Sequence, residues 1–149
     1  MSWLAFTNQA NSDFNGPLSW IKPADAKARY YSGGFTNECN IVGSAYLAPA
    51  TTTNHVLNLL NAQVMFLGGD LSSNFTNSVA IGPGDRVANL SSNRLSLSFS
   101  RSSGTFIGKA IDPWTGKALP FKGAVFQKVD SGCGFLLGTN QSSRVAITQ

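Results

Sequence analysis

The chain has 149 residues, of which 42% are hydrophobic and only 12% are charged, and its formal net charge is +4. This length supports one hydrophobic core, so we expect a single domain over residues 1–149. Typical globular chains carry about 25% charged residues, and Glu38 is the only Glu, which argues against a helix-rich cytosolic enzyme. The basic residues are scattered from Lys22 to Arg144 without a focused patch, so we expect no nucleic-acid partner.

Hydrophobic residues recur with a period of two along most of the chain, which indicates β-strands. The stretch 95–100 alternates large apolar residues with Ser, and the stretch 18–21 places Leu18 and Trp20 on one face. Turn signals punctuate the chain at Asn15-Gly16, Gly33-Gly34, Gly68-Gly69, Gly82-Pro83-Gly84, Ser103-Gly104, Thr115-Gly116 and Gly132. Short strands divided by such signals are typical of an antiparallel meander.

The middle of the chain is expected to supply three strands, at 62–67, 78–81 and 86–90. The window 54–65 has enough Leu and Val for a helix of three turns, but we expect it to divide at Asn61 into two strands. All apolar runs are far too short to cross a bilayer, so we expect no membrane span.

An internal repeat links the two ends of the chain. Residues 23–34 and 113–124 share Pro, Lys-Ala, an aromatic residue and Gly at one spacing, 90 residues apart. Further matches follow in the same order: Leu4-x-Phe6 with Leu97-x-Phe99, Phe14-x-Gly16 with Phe106-x-Gly108, 43–47 with 132–136, and His55 with Arg144. We interpret them as two copies of one unit, at 3–58 and 96–148, each with about five strands and joined by the strands of 59–95.

The sequence therefore predicts an all-β fold, an antiparallel meander that closes into a barrel or stacks as a sandwich. Recurring Phe-x-Gly places an aromatic ring and a Gly on the same strand face, where Gly permits close approach of a neighbour. Aromatic and Gly punctuation of this kind recurs in up-and-down barrels.

Four motifs near the C-terminus occur together in one kind of bacterial protein. They are Ser-Gly-x-Phe-x-Gly at 103–108, Pro-x-Thr-Gly-Lys at 113–117, Phe-x-Gly-x-Val before Gln-Lys at 121–128, and Gly-x-Gly-Phe-Leu-Leu-Gly at 132–138. The chain resembles an uncharacterised β-module found near the C-termini of large secreted proteins of environmental bacteria, and residues 4–23 and 30–50 are similar to the segment that precedes these motifs there. The resemblance implies a secreted or cell-surface location in a bacterium, within a longer chain, and no established activity. The spacing of Trp, Phe and Gly is also similar, more distantly, to that of avidin-type meander barrels.

Two Trp residues are candidates for a binding site. Trp114 lies in the turn 113–116, where burial is difficult, and an exposed turn Trp suits stacking on a sugar or docking a partner. The alternative is that Trp114 covers the barrel end. Trp20 is expected on a strand, where a large aromatic ring can contribute to the same surface.

Arg29 and Tyr30 are the remaining binding candidates. Tyr31 matches Phe121 of the second copy and is expected in the core, so its neighbour Tyr30 is expected to point outward. Arg29 and Tyr30 stand where the second copy has Leu119-Pro120. A function specific to one copy would reside at such unshared positions.

Residues that could carry catalysis are few. His55 is the only histidine, so a Ser-His-Asp triad would have to include it. Since the second copy has Arg144 there, we expect an exposed strand start. Asp70, Asp85 and Asp112 adjoin Gly or Pro and are interpreted as turn residues. We expect no cofactor.

The two cysteines, Cys39 and Cys133, form a disulfide if the protein is secreted, or remain two reduced, buried thiols. No spacing of Cys and His fits a zinc site, so we expect no metal. Asn is abundant, but nothing in the sequence identifies a Lys, an Asn and a carboxylate that could form an isopeptide bond.

These observations favour a non-catalytic extracellular module for adhesion or assembly, whose partners are other copies or other domains of a longer chain. The alternative is a β-barrel that binds an extracellular glycan or a small apolar ligand. A hydrolase that uses His55 is a remote third hypothesis.

Overall fold

The computed structural model describes residues 2–51 and 53–149 and confirms the all-β prediction. The described residues form eleven strands in two antiparallel sheets, together with two single-turn 3-10 helices at Pro83–Asp85 and Gln127–Val129. Within this part of the chain no helix has the length and apolar character needed to cross a membrane.

The first sheet, which we call the small sheet, contains three strands in the order β1-β2-β3. They are β1 (Ala5–Phe6), β2 (Phe14–Lys22) and β3 (Phe35–Gly43). The small sheet is a simple meander, and β3 lies at its edge with β2 as its hydrogen-bonded neighbour.

The second sheet contains eight strands in the order β6-β5-β4-β11-β10-β9-β8-β7. They are β4 (Asn61–Leu67), β5 (Phe75–Gly82), β6 (Arg86–Asn89), β7 (Leu95–Ser100), β8 (Thr105–Ile111), β9 (Ala118–Phe126), β10 (Ser131–Leu136) and β11 (Ser143–Thr148). The terminal strands β6 and β7 lie against each other, so the sheet curls into a nearly closed barrel. We call this sheet the barrel.

The hydrophobic core fills the barrel. Alternate residues of each strand point inward, as in β5, where Phe75, Val79 and Ile81 are buried. Phe66 stacks on Phe75 with ring centroids 4.5 Å apart, and Phe121 meets Phe66 edge-on at 5.1 Å. No residue of β1, β2 or β3 belongs to this core cluster.

Three glycines make room for the core rings. A side chain at Gly108 would overlap the ring of Phe121, and side chains at Gly123 and Gly134 would overlap the ring of Phe106. The Phe-x-Gly pairs therefore work between strands: Phe121 of β9 lies over Gly108 of β8, and Phe106 of β8 lies over Gly123 of β9 and Gly134 of β10.

The seam between β6 and β7 is closed by amide side chains. Asn77 on β5 is fully buried and its Nδ2 donates to the Asn93 carbonyl at 2.8 Å. Asn93 Nδ2 returns a bond to Asn77 Oδ1 at 3.1 Å, and Asn89 Nδ2 also donates to the Asn93 carbonyl. These bonds satisfy the Asn93 carbonyl in the turn between β6 and β7.

Two expectations about the first half are wrong. Residues 54–60 form neither a strand nor a helix but an irregular segment that buries Val56, Leu57 and Leu59 in the core. The interval 3–58 holds three strands rather than five, all in the small sheet, whereas the interval 96–148 supplies five strands to the barrel.

Candidate interaction surface

One face of the small sheet is apolar, and its side chains are only partly buried. The register pairs Leu18 with Cys39 and Trp20 with Asn37, so Phe14, Leu18, Trp20, Phe35, Cys39 and Ile41 share one face. None of these six side chains is fully buried. Two of them, Trp20 and Phe35, line a groove with barrel residues.

Large apolar side chains are also exposed elsewhere on the small sheet and the segment before it. Trp3 is 81% exposed and Phe6 is 76% exposed, and Ile21 and Val42 are exposed on the face opposite Trp20. Single exposed apolar residues are ordinary, but this concentration on one small element is typical of a contact surface.

The outer edge of β3 is open. β2 pairs with β3 along all nine residues without interruption, and in the described chain no other strand packs closely along it. The edge contains no Pro, Lys or Arg and carries one charge, that of Glu38. Natural edge strands are usually short or protected by charges, Pro or bulges.

A groove separates the small sheet from the outer face of β8, β9 and β10. Its two adjoining parts have volumes of about 540 and 1120 Å³ and share the barrel residues Lys122, Phe135 and Leu137. Tyr30 lines the smaller part, and Trp20 lines the larger part. Lys22 and Lys122 supply positive charge, and no carboxylate lines either part.

The structure brings three of the four predicted binding residues to this region. Trp20 is 58% exposed and meets the ring of Phe35 edge-on, with centroids 5.4 Å apart. Tyr30 is half-buried, and the guanidinium carbon of Arg29 lies 5.3 Å from its ring centre.

Tyr31 is not the core strand residue that the repeat suggests. It lies in the loop between β2 and β3 with a φ of 52°, a conformation that its match Phe121 in β9 does not adopt. Its hydroxyl accepts a hydrogen bond from the Ser142 N–H at 2.6 Å, and its own N–H donates to the Thr139 carbonyl at 3.0 Å. The loop is thereby fastened to the segment between β10 and β11.

Trp114 lies apart from this surface, at one end of the barrel. Its turn is held by Asp112, whose Oδ1 accepts bonds from the N–H groups of Trp114 and Thr115. Burial raises the pKa of Asp112, but these bonds and nearby Lys117 outweigh burial and lower that pKa overall. Trp114 is 57% exposed and meets Phe75 edge-on, so it both covers a core ring and presents a face to solvent.

Lys128 clamps the small sheet to the barrel. Its Nζ lies 2.6 Å from Asp13 Oδ1 and 2.8 Å from both Asn8 Oδ1 and the Gln9 carbonyl. The hydrogen bond from Lys128, and a second from the Ala45 N–H, lower the pKa of Asp13. The Asp13, Asn8 and Gln9 atoms that contact the Lys128 Nζ are all oxygens, which are suitable acceptors for the amino group of a lysine.

Gln127 makes a second clamp beside the first. Its Nε2 donates to the carbonyls of Leu47 and Val56, and its Oε1 accepts from the Leu47 N–H at 2.9 Å. The sequence showed Gln127 and Lys128 only as part of a motif. Their position directly after an alternating strand was the one sign that two long polar side chains could fasten that strand to other segments.

His55 lies in a polar cluster around the buried Asp85. Asp85 is buried, and it accepts bonds from the Val56 N–H at 2.9 Å and from an Arg101 guanidinium N–H. The Nδ1 of His55 lies 3.2 Å from Asp85 Oδ1, and its side chain is only 20% exposed, so the expected exposed strand start is wrong. In residues 2–51 and 53–149 no hydroxyl or thiol is hydrogen-bonded to the His55 ring. Asp85 thus ties the segment before β4 to the turn before β8.

The two cysteines do not pair in this structure. Cys39 is half-buried in the small sheet and Cys133 is exposed on β10, and both are free thiols. The sequence could not reveal that they lie on different sheets. Among the described residues no three His, Cys, Asp or Glu side chains are grouped so that they could hold a metal ion.

No family model, curated protein or solved structure matches this chain.

Proposed function

We propose that the protein is a non-catalytic extracellular module that mediates adhesion or assembly through protein contacts of the small sheet. The observation that supports this most strongly is the exposed apolar surface around Trp3, Phe6 and Trp20. Removing such surface from water contributes roughly 25 cal/mol per Å². The surface lies on the one sheet that has no enclosed core of its own.

The open edge of β3 supports the same function. An extended segment of another protein can add to an exposed edge, where main-chain hydrogen bonds give affinity and side chains give specificity. A secreted or cell-surface location in a bacterium completes the proposal, supported by the low charge and by the resemblance to secreted modules. Fractionation of the producing cells tests that location.

The functional test is an adhesion assay with beads that carry the protein. We expect the beads to cluster with one another or to bind surface proteins of the producing bacterium. Trp3→Ser and Trp20→Ser should each reduce attachment at least about tenfold, the effect of losing an interface hot spot. Leu90→Ser is the matched control, because Leu90 is exposed just beyond β6 of the barrel. Beads that attach to nothing, or that lose attachment only with Leu90→Ser, would contradict the proposal.

The groove supports a second candidate, the binding of a glycan or a small apolar ligand. Aromatic rings of Trp20, Tyr30 and Phe135 face a space of suitable size. Lys22 and Lys122 would favour an acidic sugar over a neutral one.

A glycan screen with Trp fluorescence tests this second candidate. We expect an acidic glycan to quench Trp20, and Tyr30→Ala to weaken its binding about tenfold. Trp114→Phe is the control, because Trp114 does not line the groove. A screen without quenching, for acidic and neutral glycans and for apolar ligands, would eliminate this candidate.

A further inference from the structure

We propose that the open edge of β3 docks a second copy of this chain, which pairs its own β3 antiparallel to the first across a two-fold axis. This inference rests on the proposed function and names the partner. The result would be one continuous six-stranded sheet, in the order β1-β2-β3 followed by β3-β2-β1 of the second copy.

The edge provides what strand addition needs. β3 is nine residues long and regularly paired with β2, so its outer N–H and C=O groups form an uninterrupted row. In the described chain these outer groups have no partner. The other edges are poorer templates, since β1 has two residues, and β6 and β7, with four and six residues, lie against each other.

Symmetry restricts the register. A two-fold axis perpendicular to the sheet keeps the side-chain faces of both copies aligned, so each residue must face a residue whose number differs from its own by an even number. The register that uses all of β3 is centred on Cys39, which then faces Cys39 of the second copy. Registers centred on Glu38 or Asn40 use only residues 35–41 or 37–43.

Charge favours the register centred on Cys39. In it Glu38 faces Asn40 of the second copy, so the only charge of the edge has a neutral hydrogen-bonding partner directly opposite. Centring on Glu38 would instead place two carboxylates directly opposite, which is destabilising. The strand is thus complementary to itself in its longest overlap.

The apolar face also becomes continuous in this dimer. Cys39 and Ile41 lie on the half-exposed face with Leu18 and Trp20. The second copy would extend that face, with Asn37 of one chain opposite Ile41 of the other. The apolar side chains of Cys39 and Ile41 would then be flanked by residues of the second copy and lose part of their contact with water.

The first test places charge at Asn40, an exposed residue of the edge. Asn40→Lys should create two ion pairs with Glu38 across the axis and tighten the dimer about twofold to thirtyfold in sedimentation velocity. Asn40→Glu should weaken the dimer by a similar factor. Thr36→Lys and Thr36→Glu are the matched controls, since Thr36 faces Val42 of the second copy, and they should lack this opposite pair of effects.

The direction of the effect identifies the register. In a register centred on Asn40, the Lys side chains of Asn40→Lys would face each other and weaken the dimer. A tighter dimer with Asn40→Lys and a weaker one with Asn40→Glu support the proposal. A chain that stays monomeric with Asn40→Lys at high concentration overturns it.

The second test is disulfide trapping. Cα atoms of opposed residues in antiparallel strands are about 4.5 or 5.5 Å apart, which is within the roughly 4.4–6.8 Å that a disulfide spans. Diamide, as the oxidant, should therefore convert two Cys39 thiols into one bond and yield a covalent dimer. Cys39→Ser should abolish that dimer and Cys133→Ser should preserve it. A covalent dimer that depends on Cys133 alone contradicts the proposal.

The two proposals can fail separately. Beads that bind surface proteins of the bacterium, with no trapped dimer and no response to Asn40→Lys, would retain the adhesion function and overturn the second copy as its partner. Beads that attach to nothing, together with a monomeric chain, would overturn both.

Discussion

Asp85 shows how one buried side chain can join distant parts of the chain. Its carboxylate contacts the neighbouring residues His55 and Val56 and also Arg101, which lie in two segments far apart in the chain. Asp85 also has a φ of 60°, a conformation that Asp and Asn adopt more readily than most residues. The turn interpretation drawn from its position after Gly82-Pro83-Gly84 was correct locally, but it did not reveal the buried pair.

We expect Asp85→Asn to lower the free energy of unfolding by about 2 kcal/mol, because Asn keeps the backbone conformation but loses the charged partner of Arg101. Urea unfolding followed by circular dichroism measures this change. Asp25→Asn, in an exposed turn, is the control and should change stability by less than about 0.5 kcal/mol. Equal effects of the two substitutions would contradict a special role for Asp85.

Asp13 should make the free energy of unfolding depend on pH in the acidic range. Its hydrogen bond with Lys128 lowers its pKa in the folded state below the ordinary value of 3.8. A lowered folded-state pKa contributes stability that is fully present above pH 3.8 and is lost as the pH falls through the folded-state pKa. Across this pH range the free energy of unfolding of Asp13→Asn should therefore change less with pH than that of the native chain. Urea unfolding curves recorded at several pH values measure this difference. Identical pH profiles would show that the clamp does not depend on the Asp13 charge.

The Lys128 contacts predict an unmodified covalent structure. Because the Nζ faces oxygen atoms that suit an ammonium, we expect the intact mass to equal that of the sequence. Mass spectrometry of the purified protein measures this directly. A mass lower by one ammonia, absent in Asn8→Ala, would show that an isopeptide bond forms instead.

Strands are the elements that the sequence predicted best. The intervals 62–67, 78–81 and 86–90 lie within or close to β4, β5 and β6, because each is a short apolar run with turn residues such as Gly, Asn or Ser at its ends. Residues 54–60 have the same apolar content but fold as an irregular segment held by Gln127 and Asp85. Its backbone bonds go to side chains that are distant in sequence, which periodicity cannot reveal.

The strand pairing reproduces part of the internal sequence repeat. Phe6 pairs with Phe14 in the first hairpin, and their matched residues Phe99 and Phe106 pair in the β7–β8 hairpin. The correspondence then ends, because Gly16 faces Ile41 in the small sheet, whereas a strict repeat would place residue 31 there. Duplication stays a prediction, and the shared hairpin register is the feature that it explains.

The glycines under the core rings predict a stability difference between two Gly→Ala substitutions. Gly123→Ala should destabilise the barrel by about 1–3 kcal/mol, since its methyl group would overlap the Phe106 ring and the Cys133 carbonyl. Gly33→Ala is the matched control, because nothing lies within 4 Å of its added methyl group. Thermal unfolding measures both. Equal melting temperatures would show that the strands shift to accept the methyl group.

The whole molecule combines a well-packed barrel with a sheet that has no enclosed core. The small sheet is attached by a few polar contacts of Lys128, Gln127 and Tyr31 rather than by buried apolar residues. Regions with few buried apolar contacts open at lower free energy than the core. The small sheet should therefore unfold before the barrel.

Single-Trp variants test this order of unfolding. A variant that retains only Trp20 reports on the small sheet, and one that retains only Trp114 reports on the barrel end. We expect the Trp20 fluorescence transition at a lower urea concentration than the Trp114 transition. Coincident transitions would show that the two sheets unfold as one cooperative unit.

The sequence by itself determined that the chain forms β-strands and where most of them lie, because alternation and Gly-rich turns act over a few residues. It also indicated Trp20, Tyr30 and Arg29 as candidates for binding. Only the tertiary structure decided that the first strands form a separate sheet, that β11 closes against β4, and that β3 is left open. These outcomes depend on pairing between segments far apart in the chain, which local periodicity does not specify.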